Sequence, residues 1–228
     1  MLIVIEEALD AAALADIRQR LASAGEAWVD GRVTAGHQGA RLKHNRQIDE
    51  GSAVAAACQS IVLQALERRP QFISAALPNL VYPPMFNSYV EGMTFGAHTD
   101  GGVRLDPRTG RKLRTDISAT LFLSPPDDYD GGELEVLDTY GSHLVKLEAG
   151  DLVLYPSTSL HQVTPVSRGE RLACIFWVQS LVRDDARRSL LYEMDEAIQT
   201  LNRTDADEGA RVALTGCYHN LLRQWAET

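Results

Sequence analysis

"DLVLYPSTSLHQVTPVSRGERLACIFWVQSLV", residues 151–182, decides the fold class. Three apolar runs, DLVLY, HQVTPV and LACIFWVQSLV, follow one another across short polar breaks, the last marked by Arg168-Gly169. Runs this short, and this rich in Val, Ile, Leu and aromatic residues, read as strands. Breaks of this length join antiparallel neighbours, because a parallel crossover needs a dozen or more residues. The same texture reaches back to about residue 80 through NLVY, MFNSYV, ISATLFL, ELEVLD and HLVKL. Turn signals stand between the runs at Pro83-Pro84, Asp130-Gly131-Gly132, Gly141 and Gly150-Asp151. Many short strands with close turns predict an antiparallel sandwich or jelly roll.

Outward from this core the pattern turns helical on both sides. Residues 2–5, LIVI, read as a short strand. Asp10 can cap a helix running to about Ala24, with Leu14, Ile17 and Leu21 on one face and Gly25 as its stop. Residues 27–48 carry a possible strand and then a polar, basic loop, GHQGARLKHNRQ. A second helix is expected from Ser52 to about Arg68, with Ala57, Ile61 and Ala65 spaced by four and Pro70 closing it. After Arg183 the residues Leu190, Met194, Ala197, Ile198 and Leu201 form a helical stripe, and a last helix is expected over about 208–225. The class is therefore α+β, in three parts: an N-terminal helical and strand region over 1–77, a jelly-roll domain over 78–182 and a helical C-terminal domain over 183–228.

The chain has 228 residues, 45% hydrophobic and 23% charged, which suits one domain with a small appendage. A formal net charge of −9 argues against general nucleic-acid binding. Cys58, Cys174 and Cys217 are odd in number and far apart, so a disulfide framework is not expected and a reducing, cytoplasmic setting fits. The opening MLIVIEEALD lacks the basic and long apolar regions of a signal peptide, and no apolar run approaches a bilayer span.

The chemistry starts at His98 and Asp100 in "GAHTD". Positions i and i+2 of a strand share a face, about 6.6 Å apart, so one metal ion can bridge the two side chains. The best third ligand is His161, just after the run DLVLYP. Two histidines and one carboxylate on one face of an octahedron form the facial triad of non-haem Fe(II) oxygenases. The open positions accept a chelating 2-oxo acid and dioxygen. A chelating 2-oxoglutarate leaves a distal carboxylate that needs a cation once buried. Arg171, ten residues after His161, opens an apolar strand where an unpaired charge is costly.

H-T-D at 98–100, His161 and Arg171 together resemble the Fe(II)/2-oxoglutarate dioxygenase superfamily in its prolyl-4-hydroxylase-like branch. NSYVEGMTFGAHTDG resembles that branch's run into H-x-D, and GGELEV its segment before the distal histidine. Within the branch the whole chain is most similar to the PKHD-type hydroxylases. The resemblance implies a double-stranded β-helix, iron bound by His98, Asp100 and His161, and Arg171 on the distal carboxylate. It matches Tyr89 to a tyrosine that faces the co-substrate, implies that ascorbate supports activity, and, with Asp100 intact, favours hydroxylation over halogenation. The implied reaction hydroxylates an unactivated C–H bond of a peptide side chain or small metabolite and releases succinate and carbon dioxide. A homo-oligomer is possible.

Two rival readings remain. A non-enzymatic iron- and 2-oxoglutarate-binding sensor would use the same barrel. A zinc hydrolase would use the same ligands with Glu133 or Glu135 as base, and would leave Arg171 unexplained. Around the centre, Met93 and Phe95 are expected beside the metal, and Trp177 either in the pocket wall or in the core. Cys174 is read as core, His143 and His219 as surface residues, and His37 and His44 as members of the polar loop. The basic stretch GGVRLDPRTGRKLRTD, 101–116, reads either as a solvated hairpin or as a lid contacting an anionic substrate. The C-terminal helices shape substrate entry or an oligomer interface.

Overall fold

A computed structural model describes the chain apart from Ala35, His37, Gln38, Pro107, Thr139, Tyr140, Asp205, Ala206 and Thr228. His37 therefore lies outside the described residues. Eight strands build the centre: β1 (Met85–Val90), β2 (Thr94–His98), β3 (Ile117–Phe122), β4 (Leu134–Asp138), β5 (Gly141–Val145), β6 (Leu152–Pro156), β7 (Leu160–Val163) and β8 (Val166–Ser180). One sheet runs β6-β3-β8-β1, and the facing sheet runs β5-β4-β7-β2. Their pairings are antiparallel. The chain crosses from one sheet to the other at nearly every turn, which is the jelly-roll winding.

The N-terminal region extends both sheets. Ile3–Ile5 pairs with β6, Arg46–Ile48 with β1, and Lys43–His44 with β2. Three helices cover the outer face of the larger sheet: α1 (Ala11–Ala22), α2 (Ala53–Glu67) and α3 (Pro70–Ala76). Period-two alternation sorts the strands' side chains. Leu121, Cys174 and Phe176 face out and pack with Ile17, Leu21, Cys58, Val62 and Phe72 of the helices. Their neighbours Ser118, Thr120, Arg171 and Trp177 line the space between the sheets. The C-terminal pair, α4 (Asp185–Asn202) and α5 (Glu208–Trp225), closes on Leu77, Val182 and Leu191 with Tyr218, Leu221 and Trp225.

Several local expectations need correction. The loop GHQGARLKHNRQ runs into two strands, Lys43–His44 and Arg46–Ile48, and along this stretch Lys43, Asn45 and Gln47 are buried and His44 and Arg46 exposed. The period-two signal was there, but polar side chains carried it. Ser23 rather than Gly25 ends α1. Pro70 opens α3 as its first residue, where a missing N–H costs nothing. The buried stripe of α2 is Ala55, Cys58, Val62 and Leu66, one position off the expected Ala57, Ile61 and Ala65. In α4 the buried positions are Arg188, Leu191 and Ile198, while Leu190 is exposed. Arg168-Gly169 does not form a turn; it lies inside β8, paired with Asp130 and Tyr129. The strands Val103–Leu105 and Lys112–Arg114 pair as a two-stranded ribbon.

Candidate metal centre

β2 and β7 are neighbours, and their register sets His98 directly opposite His161. The two ring centroids are 4.3 Å apart. Asp100 follows β2 by two residues and brings Oδ2 within 3.7 Å of His161 Nε2. One ligand atom from each of the three residues lies within 4.8 Å of the others, a spacing that could hold a metal ion.

Orientation is fixed around the triad. His98 Nδ1 lies 2.7 Å from the Gly96 carbonyl oxygen, and His161 Nδ1 3.1 Å from that of Ser159. A carbonyl only accepts, so each Nδ1 carries the proton and each Nε2 keeps its lone pair for a metal. Ser118 Oγ donates to Asp100 Oδ2 and itself lies 2.8 Å from Ser157 Oγ. Phe95 stacks on the His98 ring at 3.7 Å, and Tyr155 meets the His161 ring edge-on at 5.1 Å. Burial, with His161 alongside, holds the His98 imidazole down at about 4. The ring is therefore neutral near pH 7, the state that ligates metals.

A cavity of about 780 Å³ opens between the sheets and takes in all three residues. Arg171 lines it too, from a position opposite Tyr89 in the β8–β1 register. Arg171 is 1% exposed, and its Nε and Nη2 have no hydrogen-bond partner. Its guanidinium carbon sits 5.4 Å from the ring centroids of both Tyr89 and Phe122. Aromatic faces supply only part of what a buried cation needs, so the geometry calls for an anion. Burial raises the phenol of Tyr89, opposed by Arg171, and also raises that of Tyr155, where Asp100 adds to the effect. Both stay neutral hydrogen-bonding groups.

Residues 84–179 match the model of the 2OG-Fe(II) oxygenase superfamily, and residues 185–227 match that of the PKHD-type hydroxylase C-terminal domain. A PKHD-type hydroxylase of Cupriavidus pinatubonensis is 69% identical over 228 residues, covering all of both chains. The chain belongs to the PKHD-type hydroxylase family. A family member from Caulobacter vibrioides is 58% identical over the same length. Among solved structures, a Pseudomonas putida prolyl-4-hydroxylase matches with a TM-score of 0.52 and 25% identity, over 78% of this chain and 92% of that one. A prolyl hydroxylase from Trichoplax adhaerens, solved with a peptide fragment, shares the fold with a TM-score of 0.55 at 18% identity, over 83% and 86% of the two chains. As a PKHD-type hydroxylase, the protein is an Fe(II)- and 2-oxoglutarate-dependent dioxygenase.

All five residues singled out in the sequence, His98, Asp100, His161, Arg171 and Tyr89, meet in the one cavity. Phe95 and Trp177 also line it, while Cys174 is core and His143 and His219 are on the surface. Glu133 and Glu135, the bases read for a zinc hydrolase, are not among the residues lining the cavity and accept instead from Thr164 and from Ser142 and Gln162. Ser118, Tyr155 and Lys43 were missed, while Arg104 belongs to the basic stretch 101–116 that reads in the sequence as a hairpin or an anion-contacting lid. Ser118 sits in ISATLFL, where the alternation of small polar and apolar residues was the available signal.

Proposed function

We propose that His98, Asp100 and His161 hold the ferrous iron and that Arg171, with Tyr89 beside it, anchors 2-oxoglutarate. The observation that carries this reading is the convergence of three ligand atoms within 4.8 Å in the same cavity as a buried guanidinium with unpaired nitrogens. When bound, iron and 2-oxoglutarate together reduce dioxygen, placing one oxygen atom in succinate and the other on a substrate C–H carbon, with loss of carbon dioxide.

The chain's own residues make the centre ready for that chemistry. The two Nδ1 tethers aim the imidazoles, and Ser118 holds Asp100 by one oxygen and leaves the other free. Phe95 and Tyr155 keep water from the imidazole faces. Arg171 supplies a planar donor fork to a carboxylate, while Tyr89 fixes its height. An intact Asp100 occupies the place a halide would need, which supports hydroxylation. The substrate is a peptide side chain or a small metabolite. Ascorbate supports turnover by restoring ferrous iron, and the enzyme works in the cytoplasm without nucleic-acid or membrane partners. No helix of the described residues is long and apolar enough to cross a membrane. Residues 1–77, 78–182 and 183–228 serve as the N-terminal buttress, the catalytic barrel and a C-terminal domain that shapes entry or a homo-oligomer interface.

The test is a screen of peptides and metabolites for products 16 daltons heavier, coupled to succinate release. Stoichiometric succinate and hydroxylated product are expected. Tight 2-oxoglutarate binding with no succinate release under any condition would favour a sensor instead.

A further inference from the structure

The cavity holds a second cationic end that 2-oxoglutarate does not explain. Arg104, on the ribbon strand Val103–Leu105 just after the H-x-D, stacks its guanidinium 4.0 Å from the Trp177 ring centroid and 5.0 Å from that of Tyr82. Trp177 and Arg171 share a face of β8 and stand six residues apart, about 20 Å along the strand. A five-carbon diacid on Arg171 does not span that separation.

Lys43 joins Arg104 at this end. It pairs in register with Phe95, the residue stacked on His98, and lines the same cavity. Lys43 is 4% exposed. Its Nζ donates to Gln47 Oε1 at 2.9 Å and Thr34 Oγ1 at 3.2 Å, which leaves one N–H uncommitted. Burial and then the Arg104 charge hold Lys43 down at about 8. Among the described residues neither has a carboxylate within ion-pair distance. The nearby acids make other contacts: Glu50 accepts from the Tyr82 hydroxyl, Asp100 from Ser118, and Asp30 pairs with Arg32. The buried indole N–H of Trp177 also has no acceptor. This end therefore has spare donors and, among the described residues, two cations without an ion-pair partner. An anion resolves both, whereas a neutral ligand leaves the like charges unscreened.

Resting on the iron and 2-oxoglutarate reading above, we infer that the substrate carries an oxyanion, a carboxylate or a phosphate, which Lys43 and Arg104 grip at the outer end of the cavity. Leu42, Val103, Leu105 and Leu160 are exposed around the same opening and line it. They fit an apolar body attached to that anion.

The test uses the full chain loaded anaerobically with Fe(II) and saturating 2-oxoglutarate, so that the Arg171 end is filled. Benzoate and phenyl phosphate are the anionic probes, and benzamide is the neutral control. At least one anion is expected to raise the thermal midpoint and perturb the iron–2-oxoglutarate visible band, with benzamide inert. The anion that acts identifies the group. Lys43→Gln and Arg104→Gln are each expected to weaken that response about tenfold or more while keeping the band, which reports an intact centre. The proposal is overturned if neither anion acts, if benzamide acts equally, or if the response survives in both variants. A wild-type protein that forms no band overturns the iron and 2-oxoglutarate reading instead.

Discussion

His98 and His161 face each other across the β2–β7 pair, and each ring is tethered through Nδ1 to the carbonyl two residues before it. Backbone pairing sets their separation, and the tethers set their direction. Asp100 lies beyond the strand end and depends instead on a side chain, Ser118. The three candidate ligands are therefore held by devices of unequal stiffness.

His98→Ala, Asp100→Ala and His161→Ala are each expected to abolish stoichiometric iron binding. Ser118→Ala should keep the fold and weaken iron affinity about 10–100-fold, the usual cost of losing a partner that orients a ligand. Metal analysis after anaerobic dialysis measures both. Unchanged affinity in Ser118→Ala would remove the serine from the site.

Arg171 is a buried cation with unpaired nitrogens, so it costs stability until an anion arrives. Arg171→Met is expected to match or exceed the wild type in thermal midpoint when both lack 2-oxoglutarate. Adding 2-oxoglutarate with iron should then stabilise only the wild type, by mass action. Thermal melts with and without the co-substrate check this. Equal stabilisation of both proteins would contradict the role given to Arg171.

Gly132 has φ +67, and a Cβ there would stand 2.9 Å from Val166 Cγ2, 3.1 Å from Arg171 Cδ and 3.2 Å from Tyr129 Cε2. The glycine lets the Arg171 stem lie flat under its loop. Gly132→Ala should cost about 1–3 kcal/mol in stability and raise the KM for 2-oxoglutarate more than it lowers kcat. Urea melts and steady-state kinetics separate the two effects.

Lys43 trades stability for binding. Its folded value is lowered from 10.5 to about 8, so the unfolded chain holds that proton more tightly. Keeping Lys43 charged costs stability below about pH 8, and the cost fades as pH rises from there to about 10.5. Arg104 adds to the depression, while Glu50, Asp30 and Asp100 oppose it. Lys43→Met is expected to stabilise the protein by about 1–2 kcal/mol at pH 7 after the loss of two hydrogen bonds, with the gap closing near pH 10. Denaturant melts at the two pH values test the sign.

Strand texture from NLVY onward was legible because short β-rich runs with Gly and Pro breaks have few alternatives. The convergence of H-x-D, His161 and Arg171 was legible because these residues lie on or beside strands whose register brings them to one cavity. What stayed hidden was the polar wall. Lys43, Asn45 and Gln47 alternate as a strand does, yet polar identity at buried positions reads as a loop. The α4 stripe failed differently: Arg188 is buried because it donates to the Val182 and Arg183 carbonyls, a tertiary bond that periodicity does not register. Arg168-Gly169 looked like a turn, but Gly169 is needed inside β8, where a Cβ would stand 2.0 Å from the Asp128 carbonyl oxygen.

The most direct test of the account is anaerobic absorbance spectroscopy of the metal-free protein given Fe(II) and then 2-oxoglutarate. A visible charge-transfer band is expected in the wild type. It should be absent in the His98, Asp100 and His161 alanine variants, and in Arg171→Met it should appear only at much higher 2-oxoglutarate. No band in the wild type, or a full-strength band in any ligand variant, would contradict the assignment of these residues as the iron and co-substrate site.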